Sequence, residues 1–257
     1  MTITEHILTK NDCWKEGRTI TPLGVMVHSP GVAQPNVDVF LNTWNVPGYA
    51  ACVHAFVTKD GAVQTLPWNW RGWHAGSAAA GKVSANNTHI GFEILEPAGH
   101  TYDGSVMVGY DSAKNAAYFA AVYRNAVELT AQLCKKYELD PLAPGVVICH
   151  AEGYALGVAS NHADVNHWFP KHDKSMDLFR ADVKSAMEGG EEEMTQQQFE
   201  AMLAAWQQTQ AAAPVSAWAK EAWEQAVAKG IFDGTQPRGP LTREQAALVF
   251  SRLGLLD

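Results

Sequence analysis

Apolar positions along this chain switch between two spacings, and each switch predicts a new element. Gly24-Val25-Met26-Val27-His28 and Gly145-Val146-Val147-Ile148-Cys149-His150 are short β-branched runs bounded by turn residues, the pattern of strands. His89 to Leu95 reads as another strand. Cys52 to Thr58 and Ala62 to Leu66 flank Lys59-Asp60-Gly61, which predicts a hairpin. Asn36 to Trp44 predicts a short helix leading to Pro47-Gly48. From Ser112 to Tyr137 the apolar residues Ala116, Phe119, Ala120, Tyr123, Val127, Leu129 and Leu133 recur near helical spacing. That helix must stop before Pro141 and Pro144. A loop rich in turn residues follows the strand ending at His150, and a helix is predicted from about Asp177 to Met187. Interspersed strands and helices predict an α/β fold, and the hairpin makes its central sheet mixed, with helices flanking it.

The pattern breaks at Gly189-Gly190-Glu191-Glu192-Glu193, which reads as a linker. Gln196 to Gln210 then carries Phe199, Met202, Leu203 and Trp206 on one helical face, as a spacer, a dimerising helix or part of the last module. After Pro214 a helix from Trp218 to Lys229 runs into Gly230-Ile231-Phe232-Asp233-Gly234, and Thr242 is placed to cap a second helix. The expected layout is a domain at 1–188, a linker and spacer helix at 189–213, and a small helical module at 214–257.

Composition narrows the function classes. The chain has 257 residues, 47% of them hydrophobic, which suits a globular protein of one substantial domain and a small one. A formal net charge of −8 argues against nucleic acid as a partner, because phosphate binding needs clustered Lys and Arg. No apolar run approaches the length of a membrane span. Met1-Thr2-Ile3-Thr4-Glu5-His6 has no basic region followed by an apolar core, so the expectation is synthesis in the cytoplasm without a signal peptide. Cys13, Cys52, Cys134 and Cys149 are widely spaced and form no CxxC pair, which predicts buried reduced thiols.

The candidate chemistry lies in three scattered residues. His28 and His150 end strand-like runs, and Asp164 follows in the polar loop Asn161-His162-Ala163-Asp164. Two neutral imidazoles and a carboxylate, with a fourth position left to water, are the ligand count of a catalytic zinc site. His167 competes with Asp164 for the third position, and Glu152 is placed to orient an imidazole. His54 lies inside an alternating strand, where packing competes with a role in the site. His100 and His172 read as solvated loop residues, and Trp68, Trp70 and Trp73 as core or cleft wall.

Five stretches, in order, resemble the zinc-dependent N-acetylmuramoyl-L-alanine amidases of the type-2 amidase and peptidoglycan recognition protein family, which includes many phage endolysins. They are Val25-Met26-Val27-His28-Ser29, Trp73-His74-Ala75-Gly76, Ile90-Gly91-Phe92-Glu93, Cys149-His150 and His162-Ala163-Asp164. The resemblance implies that His28, His150 and Asp164 bind Zn2+, with Asp164 as the aspartate type of third ligand. It implies that Glu93 acts as a base or orients the water. His162 stands where many members have a lysine, and would stabilise the oxyanion or donate a proton to the leaving amine. Trp73, His74 and His54 would contact substrate. After the ligand this chain reads Asp164-Val165-Asn166-His167, without the family's Asp-Pro-Gly-like turn.

The segment Trp218-Ala219, Gly230-Ile231, Asp233-Gly234 and Thr242-Arg243-Glu244-Gln245 resembles one S-layer homology repeat, a module that binds secondary cell-wall polymers. Trp218 and Arg243 are its candidate wall contacts. One copy is visible where three are usual, which leaves room for a homo-oligomer formed through this region. The resemblances imply peptidoglycan as substrate and an endolysin that reaches the wall after holin-type release. A bacterial autolysin and a non-catalytic peptidoglycan-binding protein are the competing readings.

Overall fold

The computed structural model describes residues 1–189 and 196–256. All of the expected linker but Gly189 lies outside the described residues. The chain divides into two compact units, Met1–Gly190 and Glu191–Asp257. Among the described residues no helix is long and apolar enough to cross a membrane.

In the first unit, in chain order, are β1 (Ile3–Glu5), α1 (Asp12–Glu16), β2 (Gly24–His28), α2 (Val37–Trp44), β3 (Ala55–Thr58), β4 (Gly61–Gln64), β5 (His89–Ile94), β6 (Thr101–Asp103), β7 (Val106–Val108), α3 (Ser112–Lys136), β8 (Val147–Cys149), α4 (His150–Ala155) and α5 (Met176–Met187). Six strands form one mixed sheet in the order β1-β4-β3-β5-β2-β8, and β6 and β7 make a separate hairpin. The β3–β4 hairpin is antiparallel, while β3, β5, β2 and β8 all run parallel. The expected mixed sheet is therefore present, with its parallel strands at the centre.

Alternation along the strands sorts residues between two faces. Val25, Val27, Ile90, Phe92 and Ile94 pack in the main core with α3 and α5. Phe119 and Tyr123 of α3 meet Trp168 and Phe179 at ring-centroid distances of 5.3 and 5.6 Å. Burying one such side chain contributes about 1.5–3 kcal/mol. The opposite face takes Met26 with Ala75 and Ile148, and Phe56 beneath Phe40 and Trp44 of α2. By the same parity His28 and Glu93 lie on this second face, away from α3.

The long helix matches its periodicity, and Asp111 caps it by accepting from the Lys114 amide at 3.0 Å. Four elements show no signal in the sequence: β1, α1, the β6–β7 hairpin and α4. Each is three to six residues long, shorter than the window in which a period can be read. Cys52, expected inside a strand, makes only an isolated bridge to Trp73, and β3 begins at Ala55. All four cysteines are buried and free.

The second unit contains α6 (Gln196–Ala211), α7 (Lys220–Ala228) and α8 (Arg243–Arg252). Thr242 caps α8 as expected, in a reciprocal pair with Gln245 at 3.2 and 2.9 Å. Trp223 stacks on Phe232 with centroids 5.1 Å apart, and Arg252 donates to the Gly230 and Ile231 carbonyls at 3.2 and 2.8 Å. Among the described residues of this unit only Ala211 is buried, so local hydrogen bonds and caps define it more than a core does.

Candidate active site

Parallel pairing in register brings the chemistry to one edge of the sheet. His28, the last residue of β2, lies opposite Glu93 on β5, and Val27 lies opposite Cys149 on β8. His150 follows at once, as the first residue of α4 rather than the last of a strand. The start of that helix is clamped. Glu152 accepts from the Cys149 amide at 3.0 Å and from both Arg180 guanidinium nitrogens, each at 3.0 Å. Glu152 thus caps backbone and touches no imidazole, correcting its expected role. Asp164 enters from the following loop, tied to α4 by its carbonyl accepting from the Ala151 amide at 3.1 Å.

His28 Nδ1, His150 Nδ1 and an Asp164 carboxylate oxygen form a buried triangle of donors. Its edges are 3.1 Å for His28–Asp164, 3.1 Å for His28–His150 and 3.7 Å for His150–Asp164. Ligands at zinc-like distances from one tetrahedral ion would stand roughly 3.3–3.5 Å apart. The triangle fits that requirement without movement of the backbone. His167 does not belong to it: its ring nitrogen is 2.9 Å from the Tyr102 hydroxyl and 3.4 Å from Glu96.

The hydrogen bonds fix which nitrogens carry protons. The His89 carbonyl can only accept, so His74 Nε2, 3.1 Å away, must donate. Burial of the ring, together with the neighbouring His28 and His54 rings, pushes His74 well below its ordinary pKa, so it stays neutral. Its Nδ1 is then an acceptor, and His28 Nε2 at 3.0 Å must donate to it. The His28 tautomer that donates from Nε2 turns a bare Nδ1 toward Asp164 and His150. Gly91 makes the arrangement possible, because a Cβ there would lie 2.4 Å from the His74 ring. His74 lines the cleft, but its ring nitrogens are committed to positioning His28 rather than to substrate.

Electrostatics prepare the donors. Burial, reinforced by His28, holds His150 down to about 4, in the neutral form a metal requires. Burial works against the charge of Asp164, yet the adjoining His28 and His150 rings keep its carboxyl below the usual range. Glu93 goes the other way. Burial first, then the Asp164 and Glu96 carboxylates, raise it well above an ordinary glutamate. One of its oxygens is buried without a hydrogen-bond partner. Such a carboxyl can hold or release a proton under working conditions.

These residues floor a cleft of about 610 Å3, walled by Phe40, Trp44, Tyr49, Arg71 and Trp73. His162 stands exposed at its rim, its ring 4.5 Å from that of His150. Trp73 lines the cleft and donates to Glu16 at 3.1 Å. His54 does not: it is wholly buried, bonded to the Trp70 carbonyl at 2.8 Å and the Gly91 amide at 3.0 Å, and cannot contact substrate. His100 is not solvated but buried against Glu96 at 3.1 Å, and His172 is half-buried, stacked on Phe119 at 4.0 Å. Phe40 and Trp44 carry no sequence sign of being cleft wall, because their helical spacing reads as core, which they also serve.

Residues 18–172 match the family of N-acetylmuramoyl-L-alanine amidases. The chain belongs to that family. The amidase fold is also that of solved structures of low identity. The hydrolase AmiA of Staphylococcus aureus, solved in complex with its ligand, is 22% identical with a TM-score of 0.53, over 73% of this chain and 83% of that one. The catalytic domain of XlyA is 22% identical with a TM-score of 0.51, over 71% and 99%. The PlyG catalytic domain, a solution structure, is 19% identical with a TM-score of 0.52, over 73% and 96%. No curated protein matches the chain.

In the terminal unit, Trp218 is 90% exposed and Arg243 is the first residue of α8. Neither lines that unit's hollow of about 440 Å3, whose walls include Trp223, Phe232, Leu248 and Arg252.

Two predictions follow from this geometry. His74→Ala frees the His28 tautomer, so zinc affinity, measured by competition with a chelating dye, falls about 10–100-fold while the fold persists. Unchanged affinity would remove His74 from the positioning role. For Glu93 the pKa is raised in the folded amidase, so across the window from the ordinary glutamate value up to the raised one the native state holds a proton the unfolded chain has lost. Stability therefore falls as pH rises through that window. Metal-free Glu93→Gln is expected to melt above the parent at neutral pH, and the gap should close below the ordinary glutamate range. A gap independent of pH would show that Glu93 is not strained.

Proposed function

We propose that the amidase is zinc-dependent, cleaves the bond between N-acetylmuramic acid and L-alanine in peptidoglycan, and serves as an endolysin. The observation that carries the proposal is the His28, His150 and Asp164 triangle with the unpartnered Glu93 carboxyl beside it. His28, His150 and Asp164 would hold the zinc, which when bound would supply Lewis acidity for the scissile carbonyl and lower the pKa of a water toward about 7. Glu93 takes one proton as water oxygen bonds to the carbonyl carbon. It returns that proton to the departing amide nitrogen as the carbon–nitrogen bond breaks, giving a lactyl carboxylate and a free alanine amine. His162 at the rim donates to the oxygen on which charge develops. Burial keeps His150 neutral, and His74 accepts the Nε2 proton of His28. The aromatic walls exclude water from one side of the cleft and suit the apolar faces of sugar rings.

The terminal unit is proposed to hold the amidase on the wall, through Trp218 and Arg243, by binding secondary cell-wall polymer. Support comes from its motifs and from its separation from the catalytic unit. Release through a holin-type lesion belongs to the same endolysin reading.

Metal content and wall hydrolysis of purified protein test the catalytic proposal. The expected outcome is one zinc per chain, new alanine amino termini in digested wall, and loss of both on Asp164→Ala. An active parent without metal, or zinc fully retained in the mutant, would overturn the ligand set. For the terminal unit, Trp218→Ala with Arg243→Ala should co-sediment less with intact walls while hydrolysing soluble muropeptides at the parental rate. Equal sedimentation would remove these two residues from wall binding.

A further inference from the structure

The terminal unit carries an apolar face that nothing described in it covers. Phe199, Met202, Leu203 and Trp206 recur at helical spacing along α6 and share one stripe about 100° wide. Each is between 41% and 61% exposed, and among the described residues of the helix only Ala211, at its end, is buried. A lone helix of 16 residues is marginal in water and gains its stability by packing an apolar face. An exposed stripe that includes a phenylalanine and a tryptophan therefore calls for an occupant.

Charge decides what kind of occupant. Of the 16 residues of α6 only Glu200 is charged, and Gln196 donates to its carboxylate at 2.8 Å. A partner selected by electrostatic complementarity finds almost nothing to read there. For a second copy of this chain the same lack of charge is an advantage. The chain carries a formal net charge of −8, so contact between copies is least opposed where charge is absent.

The order of the four side chains is self-complementary. Phe199 and Trp206 stand at equal distances on either side of the midpoint between Met202 and Leu203. A two-fold axis through that midpoint, with the helices antiparallel, lays each Phe199 on Trp206 of the other copy and each Met202 on Leu203 of the other copy. Aromatic rings then meet at both ends and flexible aliphatic chains at the centre. Antiparallel pairing also sets the helix dipoles in opposition and keeps the two Glu200 side chains about 7.5 Å apart along the axis.

Area sets the strength. A buried aromatic side chain covers about 150–250 Å2, and roughly half of each is still exposed here, so the stripe offers on the order of 400 Å2 per copy and 800 Å2 per pair. That is the small end of specific interfaces, where association is weak and reversible.

We propose that α6 is a dimerisation helix, whose partner is α6 of a second copy packed antiparallel about the midpoint between Met202 and Leu203. The dissociation constant is on the order of 10 µM. On the reading of the terminal unit as a wall-binding module given above, the consequence is bivalent attachment to the wall.

Sedimentation velocity of the full chain, from about 1 to 200 µM, tests the dimer. It needs neither wall nor substrate, so the wall-binding reading stands or falls separately. The parent should show a reversible monomer–dimer equilibrium. Phe199→Glu and Trp206→Lys should each weaken it more than about tenfold, because each pair then buries unpaired charge. Mixed one to one, the two variants should dimerise at least about fivefold more tightly than either alone. Antiparallel pairing places the introduced carboxylate beside the introduced ammonium at one end and leaves Phe199 against Trp206 at the other. Parallel pairing would hold the two charges about 10 Å apart. Both positions are exposed, so the substitutions disturb no core. A parent that stays monomeric at the highest concentration, variants that dimerise as the parent does, or a mixture no tighter than its components overturns the proposal.

Discussion

The in-register pairing of β5, β2 and β8 is the constraint on which the rest of the catalytic unit depends. Parallel strands end at the same edge, so a residue at the end of one is presented beside a residue at the end of the next. With His28 opposite Glu93 and Cys149 opposite Val27, a slip of one residue would turn His28 or Glu93 into the α3 face and dissolve the site. The hydrophobic parity that prevents the slip is carried by Val25, Val27, Ile90 and Phe92, packed against the long helix. Core and chemistry are therefore specified by the same alternation.

Burial does two opposite things at that edge. It keeps the His74 and His150 imidazoles neutral, one as a relay to His28 and the other as a donor. It also penalises carboxylates, and the two acids respond differently because their partners differ. Asp164 is compensated by two rings and holds its charge, whereas Glu93 is driven toward the protonated form by burial and by the Asp164 and Glu96 carboxylates. Pairs of titratable groups pushed apart in this way mark an assignment of roles, one as ligand and one as proton carrier.

Much of this was legible in the chain. The β-branched runs ending in His28 and His150 marked strand ends, and the Glu93 motif lay on a readable strand. What could not be read was short or relational. The β6–β7 hairpin buries Met107 alone, too little to imprint an alternation on the sequence. His54 and His74 look alike as isolated histidines and both lie against Gly91, yet one is bonded to the Trp70 carbonyl inside the sheet and the other to His28, whose tautomer it fixes. His100 and His172 sit among loop residues by pattern, but Glu96 and Phe119 draw them inward. Partners distant in sequence leave no periodic trace.

The same reasoning explains why the two units differ in what their sequences specify. The catalytic unit has a core large enough to hold a buried, unsatisfied carboxyl at its edge, since the strain on Glu93 is small beside what Phe92, Trp168 and Phe179 contribute. The terminal unit, with caps and one stacked aromatic pair but almost no buried side chain, has no such reserve. A module of that kind cannot support strained chemistry. It can present an exposed indole such as Trp218 at little cost, because no core is disturbed by leaving it outside. Strained chemistry belongs to the unit that can bear it.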